Sequence, residues 1–345
     1  MGKNKATPED VYHAYRLLLG REPDPEGYRH YCALIEEQVL SPVEVAWRFM
    51  DSREFQSKQS SFLVSDADTK PCEGIVTLKS QACTQEQLES SAFRYWAARL
   101  REQPGRLHRK LWEWSFITQA LFERGMLRTG RRGLGFAVGT EPLSALFASL
   151  GCRILASDLD PDSAGKAGWA DTNQHASSLM QLNSRGICPD DLFAAQVVFQ
   201  EADMRAISSD LRNFDFLWSS CAMEHLGSLQ LGMDFVMNAM ECLRPGGVAV
   251  HTTELNCDSN FRTIKTGGDV VYRRRDLLEL TDLLHARGYV VEPLDFDLGH
   301  TEADRYVDEP PYRGRAHLKL RIGRYASTSF GLIVSKPSVE GSRNE

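Results

Sequence analysis

The residues best suited to chemistry fall at the ends of short apolar runs. Asp158, in Ser157-Asp158-Leu159-Asp160, lies nineteen residues beyond Gly139. A carboxylate at that distance from a small-residue loop can accept two hydrogen bonds from the vicinal hydroxyls of a ribose. The plainer reading is that Asp158 and Asp160 cap a helix after Pro161. The loop itself is Gly135-Phe136-Ala137-Val138-Gly139-Thr140-Glu141-Pro142. Its small side chains let a ligand approach the backbone, and its amides lead into a helix start, where negative charge is favoured. A further acid, Asp203 in Glu201-Ala202-Asp203-Met204, suits an exocyclic amino group, with Met204 as an apolar wall for a flat ring.

Proton transfer has its own candidates. The run Phe214-Asp215-Phe216-Leu217-Trp218-Ser219 continues through Ser220-Cys221-Ala222-Met223 to Glu224-His225-Leu226, and His251 and Glu254 lie in and after the next run. Glu224, His225, His251 and Glu254 all carry groups able to take a proton near neutral pH once their surroundings tune them. Three of them also have a structural reading. His225 would order its loop, His251 would be a satisfied core histidine, and Glu254 would be a solvated carboxylate.

These groups meet only if the elements bearing them share one sheet edge. Apolar runs of strand length occur at Gly133 to Val138, Arg153 to Ser157, Val197 to Gln200, Phe214 to Trp218, Gly247 to Thr252, Tyr289 to Leu294 and Phe330 to Ser335. Helical patterns at Pro142 to Leu150, Gln174 to Leu182, Leu229 to Leu243 and Arg275 to Arg287 fall between them, with Leu243-Arg244-Pro245-Gly246-Gly247 as a helix-to-strand turn. Alternating strands and helices imply parallel pairing with right-handed crossovers, and ligands then bind at the carboxyl ends of the strands. No clear helix separates the last two runs, so the final strand is expected to enter antiparallel.

Upstream, residues Pro8 to Phe55 predict three short helices, the first two parted by Leu19-Gly20-Arg21-Glu22-Pro23-Asp24-Pro25-Glu26-Gly27. The domain reading is a small helical domain at 1–58, a polar linker at 59–83, a helical cap at 84–128, a sheet domain at 129–337 and a disordered tail at 338–345. In the cap, Thr84 and Gln87 are spaced as a capping box. Its aromatic residues pack on the sheet or, through Trp112-Glu113-Trp114, cover a ligand pocket. Two insertions, Ser163 to Ala195 with Trp169 to His175, and Phe296 to His317, are lid candidates or sheet covers.

FDFLWSSCAMEHL and LRPGG, in that order and spacing, resemble the class I S-adenosylmethionine-dependent methyltransferases over about 200 residues. The resemblance implies a doubly wound α/β fold, a Rossmann-like seven-stranded sheet, mostly parallel with its seventh strand antiparallel, beside the small all-α domain. It implies S-adenosylmethionine as cofactor. Gly135, Ala137, Gly139 and Glu141 would surround its methionine part, Asp158 and Leu159 its ribose, Asp203 and Met204 its adenine, and Ser219 would line the same cleft. The chain departs from that family's first motif, since Gly135 stands where an acid is usual and only Gly139 of three glycines remains; Glu141 is placed to restore the carboxylate. YRLLLGREPDPEGYRHY with DSREF resembles a small helical domain of unknown function found in bacterial glycan-related proteins. That association implies a sugar or glycan-related hydroxyl as acceptor, and glycan-assembly proteins as partners of the N-terminal helices.

Composition narrows the classes. The net charge of -7 and pI near 5.8 argue against a nucleic-acid partner, which wants a basic surface. Eight scattered cysteines without a CxxC pair predict neither a metal site nor a disulfide framework. No apolar run long enough to span a bilayer and no apolar leader core occur, so a cytoplasmic protein without an integral membrane segment is expected. Two other readings stand beside methyl transfer: an NAD(P)-dependent oxidoreductase, for which the glycine spacing is imperfect, and a non-catalytic binding protein on a degenerate fold.

Overall fold

The computed structural model describes residues 5–38, 40–52, 54–55, 71, 74–159, 179–312, 314 and 316–338. The chain divides into two units, Met1–Ala67 with Arg101–Gln103, and Asp68–Leu100 with Pro104–Glu345. Asp160, the Trp169 to His175 stretch, most of the expected linker and all but the first residue of the expected tail lie outside the described residues.

The first unit holds α1 (Pro8–Leu18), α2 (Pro25–Gln38) and α3 (Pro42–Met50). Proline opens each helix, where its missing N–H costs nothing. Capping boxes close two of the N-termini: the Thr7 N–H donates to Asp10 Oδ2 at 2.7 Å and the Ser41 N–H to Glu44 Oε2 at 2.8 Å. Val11, Tyr15, Ile35, Val45 and Phe49 form the core. The segment between α1 and α2 is a clasp. Arg21 donates from Nε and Nη2 to the two Glu54 oxygens at 2.7 and 2.8 Å, and from Nη1 to Asp24 at 3.1 Å. Its guanidinium also lies 4.9 Å from the Tyr15 ring centroid. A bidentate guanidinium–carboxylate pair fixes direction as well as distance, so it ties the two halves of the motif read from the sequence, LGREPDPEG and DSREF, to each other.

In the second unit, strands β1 (Ser80–Ala82), β2 (Arg132–Phe136), β3 (Arg153–Asp158), β4 (Val197–Glu201), β5 (Phe214–Ser220), β6 (Leu243–Asn256), β7 (Val290–Val291), β8 (Leu294–Asp295), β9 (Val307–Asp308), β10 (Lys319–Ile322) and β11 (Tyr325–Ser335) form one sheet. The order β4-β3-β2-β5-β6-β11 is parallel as far as β6. Strand β11 runs antiparallel to β6, with Leu332 opposite His251, and β7 pairs with β11. The protein is thus a doubly wound, mostly parallel α/β fold with seven core strands, β2 to β7 and β11, and a small all-α unit before it. The chain order reverses between β2 and β5, which marks the switch point.

Among the described residues the α-helices of this unit are α4 (Gln85–Glu89), α5 (Ser91–Arg99), α6 (Arg109–Glu123), α7 (Leu143–Ser149), α8 (Asp190–Gln196), α9 (Leu229–Ala239), α10 (Arg274–Ala286) and α11 (Glu302–Arg305). Side chains alternate across a strand. Accordingly Phe216 and Trp218 of β5 join the core with Phe116 and Phe147, while Leu217 joins the opposite core with Phe136, Phe235 and Leu332.

Several sequence expectations are corrected. The linker's end forms β1, where Gln81 pairs with Gly331 of β11. The expected turn at Leu243 to Gly247 is the bulged start of β6, because the register shifts between Phe214 and Phe216 of β5 and Gly246 also donates to Lys336 O at 2.8 Å. Tyr289 to Leu294 is split into β7 and the start of β8. Phe296 to His317 holds α11 and β9, which adds to the sheet through β10. Helix α6 is a core element rather than a cover: Trp112, Phe116, Ile117, Ala120 and Leu121 are fully enclosed. Trp96 Nε1 donates to Gln119 at 2.6 Å, so α5 and α6 are locked by a buried polar pair as well as by packing.

Close packing of α6 on β11 is possible because Gly331 lacks a side chain; a Cβ there would stand 2.1 Å from Phe116 Cε1. Gly331→Ala should therefore destabilise the chain by about 1–3 kcal/mol in denaturant unfolding, the usual cost of overpacking. Adding Phe116→Leu should return part of that loss. A Gly331→Ala variant as stable as the parent would disprove this packing.

Candidate functional site

A cavity of about 390 Å³ opens at the carboxyl ends of β2, β3, β4 and β5, next to the switch point. Its floor is the β2–α7 loop, where Ala137 and Gly139 have φ of 48° and 50°. That left-handed turn bends the backbone under the opening, and glycine adopts it without strain. The Gly139 N–H donates to Asp158 Oδ2 at 3.0 Å and the Leu159 N–H to Asp158 Oδ1 at 2.8 Å. Two backbone donors thus fix the carboxylate at the end of β3.

Glu141 lines the same cavity, 7% exposed, and takes the Trp218 indole N–H at 2.5 Å. Burial pushes its carboxyl up to about 8, against the lowering effect of that hydrogen bond. Gly135 does not line the cavity. It makes room for Trp218, since a Cβ at 135 would lie 2.4 Å from the indole ring. An acid at that position is excluded by sterics, and the carboxylate of this loop stands at Glu141 instead.

Leu159, Asp203 and Met204 reach the opposite wall. Arg205 engages Asp203 through Nε at 3.1 Å, Nη2 at 2.9 Å and its backbone N–H at 2.8 Å. These bonds hold the Asp203 carboxyl below its ordinary value. Ser219 is a correction. It is fully buried in β5, with its Oγ 2.8 Å from His251 Nδ1, and the cavity is lined by Ser220, Cys221 and Ala222 instead. The alternation of a strand turns Ser219 away and Ser220 toward the opening.

The four proton-transfer candidates separate. His225 lines the cavity, with Nδ1 2.9 Å from Gly268 O and 3.0 Å from Asp269 Oδ1. A ring nitrogen facing two oxygens carries the proton. Burial opposes the charged ring, but Asp269 and Glu224 outweigh it and the imidazole pKa is raised. Glu224 is enclosed, takes the Thr253 hydroxyl at 3.1 Å, and its Oε1 has no partner among the described residues; burial raises its carboxyl. Glu254 accepts from Ser327 Oγ at 2.6 Å and pairs with Arg109, away from the cavity lining. His251 is a core residue. Burial lowers its pKa to about 3, and it packs edge-on against Phe235.

From α6 the sequence offered Trp112-Glu113-Trp114 as a pocket cover, of which Trp114 lines the cavity, and it missed Lys110. Lys110 and Trp114 both line the cavity, and their spacing of four on one helix is the signal that places them on one face. Arg185 also lines it, 4.9 Å from the Trp114 ring centroid. Behind them, Glu113 is fully buried and accepts from Lys110 at 2.9 Å, Arg109 at 3.2 Å, Ser220 at 3.1 Å and Ser329 at 2.6 Å. Burial alone would raise Glu113, but the two cations hold it at about 2. Donor atoms of Cys221, Glu224 and Glu254 lie within 4.8 Å of one another, a spacing open to a cation. Arg109 already supplies positive charge there, in contact with Glu254 and 3.7 Å from Cys221 Sγ.

The comparisons bear on both units. Residues 1–59 match the family described as "Domain of unknown function (DUF4214)". No curated protein matches the chain. Among solved structures the chain is similar to the glycopeptide N-methyltransferase MtfA, with 15% identity over 67% of this chain and 97% of that one, at a TM-score of 0.39. It is also similar to the [4+2]-cyclase SpnF, with 16% identity over 65% and 81% and a TM-score of 0.40. A TehB-like SAM-dependent methyltransferase from Corynebacterium glutamicum shares 13% identity over 65% and 86%, with a TM-score of 0.35. Likeness at this level assigns neither an activity nor an acceptor.

Proposed function

We propose that the cavity binds S-adenosylmethionine and that the chain transfers its methyl group to a sugar or glycan-related hydroxyl. The observation that carries this reading is the Asp158 carboxylate, fixed by two backbone N–H groups at the end of β3 and facing a cavity whose next wall is the Ala137 to Glu141 loop. The residues fit the cofactor. Asp158 presents its carboxylate on the side of a ribose diol, and Leu159 and Met204 offer apolar walls to a purine. Asp203, held by Arg205, stands beside them for its amino group. At the other end Glu141 and Lys110 present one acid and one cation, the complement of an amino acid's ammonium and carboxylate. The cavity volume lies within the range typical of small-molecule sites.

Bound S-adenosylmethionine supplies a methyl group already activated on a sulfonium. The protein's part is to align the acceptor and take its proton. His225 is the base in this reading, with Nε2 as the receiving atom and Asp269 orienting the ring through Nδ1. His251 and Ser219, buried together in the sheet, take no part. Glu224 raises the proton affinity of His225 through its charge, and Glu254 and Glu113 hold Arg109 and Lys110 in place. The same reading carries a cytoplasmic location, the expectation drawn from the pattern of apolar runs, and glycan-assembly partners for the N-terminal helices, from the resemblance stated above.

Three measurements test this. Calorimetry should detect S-adenosylmethionine and S-adenosylhomocysteine, and Asp158→Asn should weaken both by about 10–100-fold, the worth of hydrogen bonds to a charged group. Binding of NAD(P) alone would overturn the proposal. Glu141 is protonated below about 8 and must ionise to face an ammonium, so the affinity advantage of the parent over Glu141→Gln should grow between about pH 6 and about pH 9. In the unliganded chain the same raised carboxyl stabilises the fold below its unfolded pKa, and this support is lost as pH rises through about 8. Finally, Asp269→Asn should lower the midpoint of the His225 titration followed by NMR; an unmoved midpoint would separate Asp269 from the base.

A further inference from the structure

A second groove lies outside this site, between the loop following β6 and the β10–β11 turn. Phe261, Arg262, Ile264 and Lys265 form one wall, and Arg324 and Tyr325 the other. Phe261 is 80% exposed. Its exposure does not come from a slack chain. Phe261 O accepts from Arg273 Nη1 at 2.7 Å, and Arg273 is itself held by Asp276, with Nε at 2.8 Å. The Phe261 and Arg262 N–H groups both donate to Ser259 Oγ, at 3.1 and 3.0 Å, and Arg262 O accepts from Asn256 Nδ2 at 3.1 Å. The loop is pinned on both sides of a ring that faces water.

The charges around the ring are unbalanced. Arg321, on the neighbouring strand, is paired by Asp258 at 3.2 Å and Glu309 at 3.1 Å. Arg262, Lys265 and Arg324 have no ion-pair partner among the described residues. On a chain of net charge -7, three unpaired cations beside an exposed aromatic ring form a local reversal of sign.

We infer that this groove docks the chain on an anionic lipid surface, with Phe261 entering the interface and Arg262, Lys265 and Arg324 on the headgroup phosphates. A free anion would use the cations and leave the ring in water, whereas a lipid surface uses both. Stacking of successive nucleic-acid bases calls for a row of exposed rings, whereas of the two rings in this groove Phe261 is exposed and Tyr325 is half-buried. The loop also leads to the first site: Lys265 O accepts the Leu229 N–H at 3.1 Å, and Gly268 and Asp269 hold His225. The docking loop and the first site thus share one chain segment, residues 261 to 269. The inference does not depend on methyl transfer.

The test is cosedimentation of the full chain with vesicles of phosphatidylcholine, with and without phosphatidylglycerol. Binding should require phosphatidylglycerol and fall as salt rises. Reversing one cation, as in Arg324→Glu, should lower partitioning about fivefold or more, and Arg262→Glu and Lys265→Glu likewise. Phe261→Ser should lower it by a similar factor while leaving the melting temperature unchanged, because the exposed ring contributes little to the core. Four outcomes overturn the inference: no binding to phosphatidylglycerol vesicles; equal binding to phosphatidylcholine alone; displacement from vesicles by a single-stranded oligonucleotide; and loss in the charge reversals with none in Phe261→Ser, which would mark a site for a soluble anion.

Discussion

The position of the Trp218 indole sets the terms for the first site. It fills the space over Gly135, packs edge-on against Phe147 with ring centroids 5.1 Å apart, and gives its N–H to Glu141. Close-packed interiors allow one occupant per volume. With the indole there, position 135 cannot carry a side chain, and the loop's carboxylate comes from the far limb of the turn. Burial raises the proton affinity of that carboxylate, and the hydrogen bond from the indole opposes the rise.

A second constraint runs through α6. The helix brings Arg109, Lys110 and Glu113 into the protein interior, where charges are tolerated only when paired and hydrogen-bonded. Glu113 meets that condition with two cations and two serine hydroxyls, one from β5 and one from β11. The network thus joins a segment far upstream in the chain to the strand ends that bear Ser220, Cys221 and Glu254. Removing a single partner leaves a buried charge without its counterpart, which costs more than the pair contributes. A segment that reads as a cover in the sequence is therefore part of the wall of the cavity.

The two units differ in how directly their motifs translate into structure. In the helical unit the most regular stretch, LGREPDPEG, is accounted for by its own clasp of Arg21, Asp24 and Glu54 over Tyr15. In the sheet unit the equivalent regularities, at Gly139, Asp158 and His225, all converge on one opening. Spacing along the chain alone does not tell these outcomes apart, because a turn that closes on itself and a turn that waits for a ligand draw on the same residue types.

Strand order in the sheet unit, the antiparallel last strand and the placement of Asp158, Glu141 and His225 at strand ends were legible in the sequence, because periodicity and punctuation are local properties; the helix expected at Gln174 to Leu182 lies mostly outside the described residues. The seven core strands needed no more than that. What only the tertiary structure decided is which neighbour each side chain meets. Ser219 and Ser220 differ by one residue and face opposite sides of a strand, and no local pattern says which side the cavity is on. His251 and His225 are both histidines after apolar runs, yet one is sealed against Phe235 and the other lines the opening. Asp269, Lys110 and Arg109 reach the site from loops and helices distant in sequence, and long-range contacts leave no periodic trace. The same holds for β1, three residues whose strand conformation is set by pairing with β11 and not by their own propensity.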